Sequence, residues 1–314
     1  MYEPLMAMVG DVQDNRVLAK GLDQPEGPAI LPNGDLLLVE MGEARACVTR
    51  VDRNGGHMPF ARPGGRPTGL AIDGDGCIWA AGGTGNSLVR LSPTGELLLT
   101  IAGDEHGPFL FPNDLAFGPD GMLYMTDSGM IPGDLIQGLV IRPDFADAPY
   151  DGRVFQIDPR AGRVTRRLAT GLRFANGVAF GSDGALYYNE TLTSVIYRQE
   201  PGREATPFAR LDRQAAPDRF AGPDGMAFDA AGRLYCAVYG EGRVAVLDPS
   251  GKAMPSIRTN GDRPTNVAFA REGTALFITE VQHGAVEVVS ADDVGLALHQ
   301  PLISTSEKGC AHGL

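Results

Sequence analysis

The sequence predicts an all-β fold, a six-bladed β-propeller with four-stranded antiparallel blades and closure between its N- and C-terminal segments. A short phrase recurs six times in the 314 residues, at spacings between 41 and 63 residues. Each copy contains two apolar strands around a turn with glycine, a pattern of strands and not of helices. Self-similarity at this period is typical of repeat architectures, and units of short strands favour propeller blades.

The copies align on a small or proline residue followed by a polar residue, which we call the pivot. They read PEGPAILPNGDLLLVE, PTGLAIDGDGCIWAAG, PNDLAFGPDGMLYMTD, ANGVAFGSDGALYYNE, PDGMAFDAAGRLYCAV and PTNVAFAREGTALFITE. The six pivots are Glu26, Thr68, Asn113, Asn176, Asp224 and Thr265.

Within each copy, the residues after the pivot are predicted to form the first strand of a blade, and the residues after the turn the second. The turns contain residues that favour tight reversals: Asn33-Gly34, Asp75-Gly76, Asp120-Gly121, Asp183-Gly184, Gly232 and Gly273. Two further strands complete each blade. In the fourth copy they read SVIYRQE and TPFARL, and in the fifth RVAVLD and MPSIRT.

The two ends of the chain are predicted to close the ring. The N-terminal segment RVLAKGLDQPEGP matches VTRRLATGLRFANGV, in which an outer strand leads into the next blade. Residues 16–20 should therefore pair with the C-terminal blade. Closure removes the free sheet edges that invite aggregation. We expect a single domain, residues 1–314.

The spacing of 63 residues between Asn113 and Asn176 indicates an insertion at about residues 129–152. Because the second strand runs antiparallel to the first, its end returns to the rim where the pivots lie. The insertion is therefore predicted to lie near the channel mouth. Its apolar residues suit a lid or a substrate wall, and a longer hairpin that packs on the ring is an equal alternative.

Composition excludes several function classes. The formal net charge of -12, without runs of Lys or Arg, argues against nucleic acid or an anionic membrane as a partner. No basic leader precedes an apolar run, and no window approaches the roughly 18 apolar residues of a spanning helix. The sequence predicts a soluble, cytoplasmic protein that acts on a small molecule. We interpret its cysteines as reduced, since none has CxxC spacing: Cys47, Cys77, Cys236 and Cys310.

The chemistry of the pivots predicts a metal site. If they occupy equivalent places on innermost strands, they converge on one end of the channel. Glu26 and Asp224 offer carboxylates, and Asn113 and Asn176 offer amide oxygens. Hard divalent cations prefer such ligands, which predicts one divalent ion, calcium first, with magnesium, manganese and zinc as alternatives. Four protein ligands leave positions open for water and a substrate oxygen.

A simpler interpretation of the pivots is that they make turns. Asn-Asp, Asn-Gly and Asp-Gly are common turn dipeptides. Each blade, however, already has its turn several residues farther along the chain. The six pivots taken together therefore favour the metal site.

Four motifs, in this order and register, resemble those of the senescence marker protein, gluconolactonase and luciferin-regenerating enzyme family. They are PEGP, FPNDLAFGPDGMLYMTD, ANGVAF and GPDGMAF. The resemblance extends from about residue 20 to about residue 285. It implies a six-bladed propeller whose channel holds a divalent cation, often calcium. The matching ligand positions are Glu26, Asn113, Asn176 and Asp224. Most members are lactonases, and the related diisopropyl fluorophosphatases hydrolyse phosphorus esters, so the resemblance implies a hydrolase.

One position departs from the family pattern. Sugar-lactone members often carry Arg two residues before the ligand Asn, where this chain has Phe111. A phenyl ring cannot donate to substrate oxygens. With the apolar insertion, Phe111 favours a more hydrophobic lactone or ester than gluconolactone. The alternative is that Phe111 only packs against a neighbouring strand.

The expected reaction is cation-assisted hydrolysis of a lactone, a cyclic ester. Asp224 is the first candidate for the general base, and a water activated by the cation alone is the alternative. Asp127 is predicted to orient ligands or waters from behind. Thr68 and Thr265 complete the ring as hydroxyl donors or neutral spacers. Three other acids at second-strand ends are expected to be solvated: Glu40, Glu190 and Glu280.

Two other functions stay open from the sequence. One is an organophosphate hydrolase of the diisopropyl fluorophosphatase type, which would use the same cation. The other is a binding propeller with a purely structural metal, because a fold alone does not imply catalysis. Hydrolysis of lactones and of an organophosphate, each with and without chelator, distinguishes the three functions.

Overall fold

The computed structural model describes residues 15–137 and 140–303, which form a ring of six four-stranded antiparallel sheets. Each sheet is one blade, and blades 1 to 6 are numbered by the order of their first strands in the chain. The first strands of neighbouring blades contact each other around the whole ring, so they line the central channel. The predicted six-bladed propeller is confirmed.

The strands of each blade follow the chain outward from the channel. Blade 1 contains Pro25–Ile30, Leu36–Glu40, Cys47–Val51 and His57–Ala61. Blade 2 contains Leu70–Ile72, Ile78–Gly83, Ser87–Leu91 and Leu97–Ile101. Blade 3 contains Pro112–Phe117, Leu123–Asp127, Gly152–Asp158 and Arg163–Leu172. Blade 4 contains Ala175–Phe180, Leu186–Glu190, Val195–Gln199 and Thr206–Arg210. Blade 5 contains Gly222–Phe228, Leu234–Tyr239, Arg243–Leu247 and Ala253–Arg258. Blade 6 contains Pro264–Phe269, Ala275–Glu280, Ala285–Ser290 and, from the N-terminal end, Arg16–Lys20.

Smaller elements lie between the blades. A two-stranded pair precedes blade 3 and consists of Gly103–Asp104 and Gly107–Pro108. The insertion contains a short helix, a two-stranded pair and a 3-10 turn: Pro132–Leu135, Ile136–Gln137 with Val140–Ile141, and Phe145–Asp147.

The ring closes in blade 6. The strand Arg16–Lys20 pairs antiparallel with Ala285–Ser290, and Arg16 stands opposite Val288. The predicted pairing of residues 16–20 with the C-terminal blade is confirmed. Closure therefore makes the last sheet from both ends of the described chain.

No helix in the described ranges is long and apolar enough to cross a membrane. Cys310, residues 138–139 of the insertion and the two ends of the predicted domain lie outside the described residues.

The core lies between the blades, where the apolar faces of adjacent sheets meet. Between blades 1 and 2, Leu37 and Val39 pack in one cluster with Ile78. Between blades 2 and 3, Trp79 packs edge to face on Phe117, with ring centroids 6.3 Å apart. Each large side chain buried in this way contributes about 1.5–3 kcal/mol. Because every blade shares its core with two neighbours, the ring as a whole is the stable unit.

A segment that the sequence analysis did not predict crosses the end of the channel opposite to the pivots. We call residues 291–303 the strap. In blade 5 the Ala230 N–H donates to the Val294 carbonyl at 2.8 Å, and in blade 2 the Gly74 N–H donates to the Pro301 carbonyl at 2.9 Å. The strap thus links blades on different sides of the ring and lines a second cavity at its own end of the channel.

Candidate active site

A cavity opens at the end of the channel where the innermost strands begin. It encloses about 650 Å³, its open mouth included. All six pivots are buried and line it: Glu26, Thr68, Asn113, Asn176, Asp224 and Thr265. The structure therefore brings together the four residues predicted to hold a cation and the two threonines.

Irregular pairing at the start of the innermost strands aims the pivots at the channel. In five of the six blades the register shifts beside the pivot, as it does between Pro112 and Leu115 in blade 3 and between Ala175 and Val178 in blade 4. Bulges of this kind redirect side chains. The glycine after the pivot allows the next blade to come close, because a Cβ on Gly177 would lie 2.2 Å from the Asp224 carbonyl oxygen. The absence of a side chain at Gly177 is thus a condition for this close approach.

Both asparagine pivots are oriented in the same way. Asn113 Nδ2 donates to Ser128 Oγ at 2.8 Å, and Asn176 Nδ2 donates to Thr191 Oγ1 at 3.1 Å. Each hydroxyl in turn donates to a main-chain carbonyl of the next blade, at 3.0 Å and 2.8 Å respectively. Because these bonds fix the amide nitrogens, the amide oxygens remain as acceptors. Asn176 Oδ1 is buried and accepts no hydrogen bond from the described residues.

Three carboxylates lie near one another at the cavity, Glu26 and Asp224 in its lining and Asp114 close to both. Burial raises the pKa of Glu26, and the charges of Asp114 and Asp224 raise it further. Burial also raises the pKa of Asp114 to about 6. The pKa of Asp224 lies above its usual range, first because of burial and then because of the Asp114 charge. Glu26 Oε1 accepts from Asn266 Nδ2 at 2.9 Å. The sequence analysis missed Asp114 and Asn266, although both directly follow a pivot.

The residues present fit a divalent cation. Glu26 Oε2 and Asn176 Oδ1 are buried oxygens without a hydrogen-bond partner in the described residues. Buried acceptors normally have partners, and a cluster of buried negative charge is unfavourable without a counter-charge. In residues 15–137 and 140–303 no three His, Cys, Asp or Glu side chains form a metal-binding group. A cation here would therefore depend on the two asparagine oxygens as well as on carboxylates.

The threonine pivots connect neighbouring blades. Thr68 Oγ1 donates to the Pro112 carbonyl at 2.7 Å, and Thr265 Oγ1 donates to the Pro25 carbonyl at 2.9 Å. In both cases the acceptor is the residue directly before the next pivot. The hydroxyl protons of Thr68 and Thr265 are thus engaged with the scaffold.

The acids at the ends of the second strands hold the loops that lead to the pivots. The Asp127 carboxylate accepts from the backbone N–H groups of Leu110, Phe111 and Gly129 at 2.8–2.9 Å. The prediction that the other three are solvated is wrong, because all are buried: Glu40, Glu190 and Glu280. Each accepts a backbone N–H from the loop before its own pivot, from Asp23, Arg173 and Arg263 respectively. The reason is structural, since the loop N–H groups need acceptors inside the ring.

One side of the cavity is aromatic and aliphatic. Phe111, Phe174 and Phe220 line it, and the ring of Phe174 meets those of Phe111 and Phe220 edge to face at centroid distances of 5.9 Å and 5.2 Å. Ile136 and Ile141 of the insertion line the same cavity. Phe111 thus packs against a neighbouring blade and also lines the cavity. The two interpretations of Phe111, packing and a role in the substrate site, are therefore compatible.

The other side of the cavity is polar and was missed by the sequence analysis. Gln24, Arg66 and Tyr239 line it. Arg66 stands two residues before the pivot Thr68, the same register that Phe111 has before Asn113. Comparing this position across all six copies would have found Gln24, Arg66 and Phe174 together. Gln24 and Phe174 both adopt a left-handed backbone, with φ of 57° and 68°, a costly conformation that clusters at binding sites.

Comparisons with known proteins agree with this architecture. The sequence profile of the SMP-30/Gluconolactonase/LRE-like region matches residues 101–282, more than half of the chain. A gluconolactonase of Zymomonas mobilis is 27% identical over 91% of this chain and 84% of its own. The diisopropyl-fluorophosphatase of Loligo vulgaris is 25% identical over 83% of this chain and 87% of its own.

A solved structure shares the fold. The calcium-binding protein regucalcin from Agrobacterium tumefaciens superposes with a TM-score of 0.72 and 20% identity, over 93% of this chain and 97% of that one. The profile match, the six-bladed ring and the converging pivots lead to one conclusion: this chain belongs to the SMP-30/gluconolactonase/LRE-like family.

Proposed function

We propose that the protein is a divalent-metal-dependent lactonase that hydrolyses a cyclic ester in the cavity of the pivots. The observation that carries the proposal is the pair of unpartnered buried oxygens, Glu26 Oε2 and Asn176 Oδ1, beside a cluster of carboxylates. A cation would satisfy both. The gluconolactonase relative, which matches over most of the chain, supports a lactone as the substrate.

Glu26, Asn113, Asn176 and Asp224 would hold the cation. Calcium is the first choice because all four offer oxygen, and the structural neighbour regucalcin is described as calcium-binding. When bound, the cation polarises the lactone carbonyl and offsets the charge that develops on its oxygen.

Asp224 is the proposed general base. It lines the cavity, and although burial raises its pKa, the neighbouring Asn176 side chain favours its ionised form. Its carboxylate takes a proton from a water whose oxygen attacks the carbonyl carbon. The ring C–O bond then breaks, and the leaving oxygen receives the proton. The product is a hydroxy acid, so one water is consumed and the base is regenerated.

The apolar side of the cavity indicates which kind of lactone the protein binds. The side chains on this side offer no hydrogen-bond donors or acceptors to the hydroxyl groups of a sugar lactone. They are Phe111, Phe174, Phe220, Ile136 and Ile141. We therefore propose a lactone with a more hydrophobic body than gluconolactone, with the insertion as part of the substrate wall.

A turnover assay tests the proposal. Metal-free protein is supplied with calcium, magnesium, manganese or zinc and is offered sugar, aliphatic and aryl lactones, with and without chelator. We expect chelator-sensitive hydrolysis that is fastest for the less polar lactones. An organophosphate is included because a fluorophosphatase is among the relatives. Turnover of the organophosphate alone would reassign the substrate, and calorimetric metal binding without any turnover would make the protein a binding propeller.

The role of Asp224 is tested separately. Asp224→Asn should lower kcat by at least about 100-fold, the contribution typical of a general base. Asp212→Asn, which removes an exposed carboxylate from the same blade junction, is the matched control. If Asp224→Asn binds metal by calorimetry and keeps full activity, the base is not Asp224.

A further inference from the structure

The polar side of the cavity carries a guanidinium group that forms no ion pair. The Arg66 guanidinium donates to two neutral acceptors, the Met41 carbonyl at 3.0 Å and Gln24 Oε1 at 2.9 Å. Its Nε is buried and has no acceptor among the described residues. In residues 15–137 and 140–303 no carboxylate lies within ion-pair distance of it, and the charges of Glu43 and Asp23 act on it from farther away. A half-buried guanidinium without a close counter-charge favours an anionic ligand.

Tyr239, which lines the same cavity, lies among charges of both signs. Burial raises the pKa of the Tyr239 hydroxyl and the Asp224 charge raises it further, while the guanidinium groups of Arg263, Arg66 and Arg219 oppose that rise. Arg263 and Arg66 form no ion pair in the described part of the chain. Two guanidinium groups without a close counter-charge therefore lie near Tyr239.

Guanidinium and phenyl groups line the same cavity. Gln24 and Arg66 come from blades 1 and 2, whereas Phe111, Phe174 and Phe220 come from blades 3, 4 and the start of 5. A molecule that fills the cavity thus meets both the guanidinium of Arg66 and the phenyl rings, and the pivots belong to the same lining.

We propose that Arg66 binds a carboxylate carried by the substrate, so that the substrate class is a lactone with an anionic substituent and an apolar body. The inference rests on the proposed lactonase function and specifies its substrate. The guanidinium presents five N–H donors in a fixed fork that matches the two oxygens of a carboxylate. A hydroxyl group could accept one of these hydrogen bonds but would bring no counter-charge to the guanidinium.

A matched pair of substrates tests the inference. A γ-butyrolactone with a carboxylate on its ring is compared with its carboxamide, which has the same shape and no charge. In the calcium-loaded protein we expect kcat/KM to favour the carboxylate by about 10- to 100-fold, the range of one charged hydrogen-bonded pair. Arg66→Gln should abolish this preference, and Arg66→Lys should keep part of it. The control is Arg62→Gln, which removes an exposed guanidinium four residues away.

A binding measurement keeps the inference separate from the proposed function. A cyclopentanone with the same carboxylate cannot be hydrolysed, and its Kd is measured by calorimetry against that of its carboxamide. We expect tighter binding of the carboxylate in wild type and in Arg62→Gln, and equal binding in Arg66→Gln. Equal Kd values in wild type, or a preference that survives in a folded Arg66→Gln, would overturn the inference. Absence of turnover with a preserved binding preference would overturn only the lactonase proposal.

Discussion

At the scale of single residues, one shared hydrogen-bonding task explains why the pivots differ. The carbonyl before a pivot accepts a hydroxyl from the preceding blade. Thr68 and Thr265 supply this hydroxyl themselves, whereas Ser128 and Thr191 supply it in the blades whose pivots are asparagine. An asparagine pivot therefore does not need to bind the carbonyl of the next blade, and its amide oxygen stays available to a ligand.

This division of tasks predicts the effect of Thr191→Val. The variant keeps the side-chain shape but removes the acceptor that holds Asn176 Nδ2. Loss of a group that orients a metal ligand typically costs 10- to 100-fold in affinity. We expect calcium binding, measured by calorimetry, to weaken by about that factor. Thr165→Val, which removes an exposed hydroxyl, should leave the Kd unchanged, and an unchanged Kd in Thr191→Val would disprove the orienting role.

The buried carboxylates predict a pH dependence of the metal-free protein. The pKa of Asp114 is about 6 in the folded state against 3.8 ordinarily. A raised acid pKa contributes stability that is complete below the unfolded value and is lost as pH rises through the folded value. The free energy of unfolding should therefore fall by a few kcal/mol between about pH 4 and pH 7 from this group.

Denaturant unfolding of metal-free protein at a series of pH values measures this fall. Calcium should flatten the profile because it pairs with the charged form. Asp114→Asn should make the fall smaller without calcium, since one of the three titrating carboxyl groups is gone. Identical profiles for wild type and Asp114→Asn would contradict the assignment.

At the scale of elements, the second strand of a blade positions the loop that leads to the pivot. The acid that ends it accepts loop N–H groups in four blades, through Glu40, Asp127, Glu190 and Glu280. The sequence shows the acid at the strand end but not the N–H groups, which come from a segment 16 to 17 residues earlier. For this reason the sequence alone predicts that Glu40, Glu190 and Glu280 are solvated, although they are buried.

Asp127→Asn tests this loop attachment. An amide offers one acceptor where the carboxylate serves three N–H groups, so buried donors lose their partners. We expect a loss of about 2–4 kcal/mol in the free energy of unfolding by urea titration. Asp134→Asn, which alters an exposed acid of the insertion, should change stability by less than about 0.5 kcal/mol. A similarly small change in Asp127→Asn would show that the loop does not depend on it.

At the scale of the whole molecule, stability depends on closing the ring and on linking its sides. Arg16–Lys20 completes blade 6, and the strap reaches from blade 5 to blade 2 across the end opposite to the pivots. Both contacts join segments that are far apart in the chain. Opening either one would expose the cores between blades and widen the pivot ring.

A disulfide across the closure tests its contribution. Arg16 and Val288 are paired across the two strands, and opposite residues in antiparallel strands have Cα separations within disulfide range. Arg16→Cys with Val288→Cys, once oxidised, should raise the free energy of unfolding by up to about 5 kcal/mol because the closed loop is long. The reduced double variant is the control. Equal melting temperatures of the two forms would mean that the ends do not separate early in unfolding.

The blade count, the closing strand and the six pivots could be predicted from the sequence, because strand periodicity, turn residues and repeat register are local properties that the chain displays directly. Which further residues join the pivots depends on the tertiary structure. Asp114, Asn266 and Arg66 come from different blades, and their places around the pivots exist only once the ring has closed. The same holds for Phe111, since its place in the cavity wall beside Phe174 follows from the packing of blades 3 and 4 and not from its own neighbours in the chain.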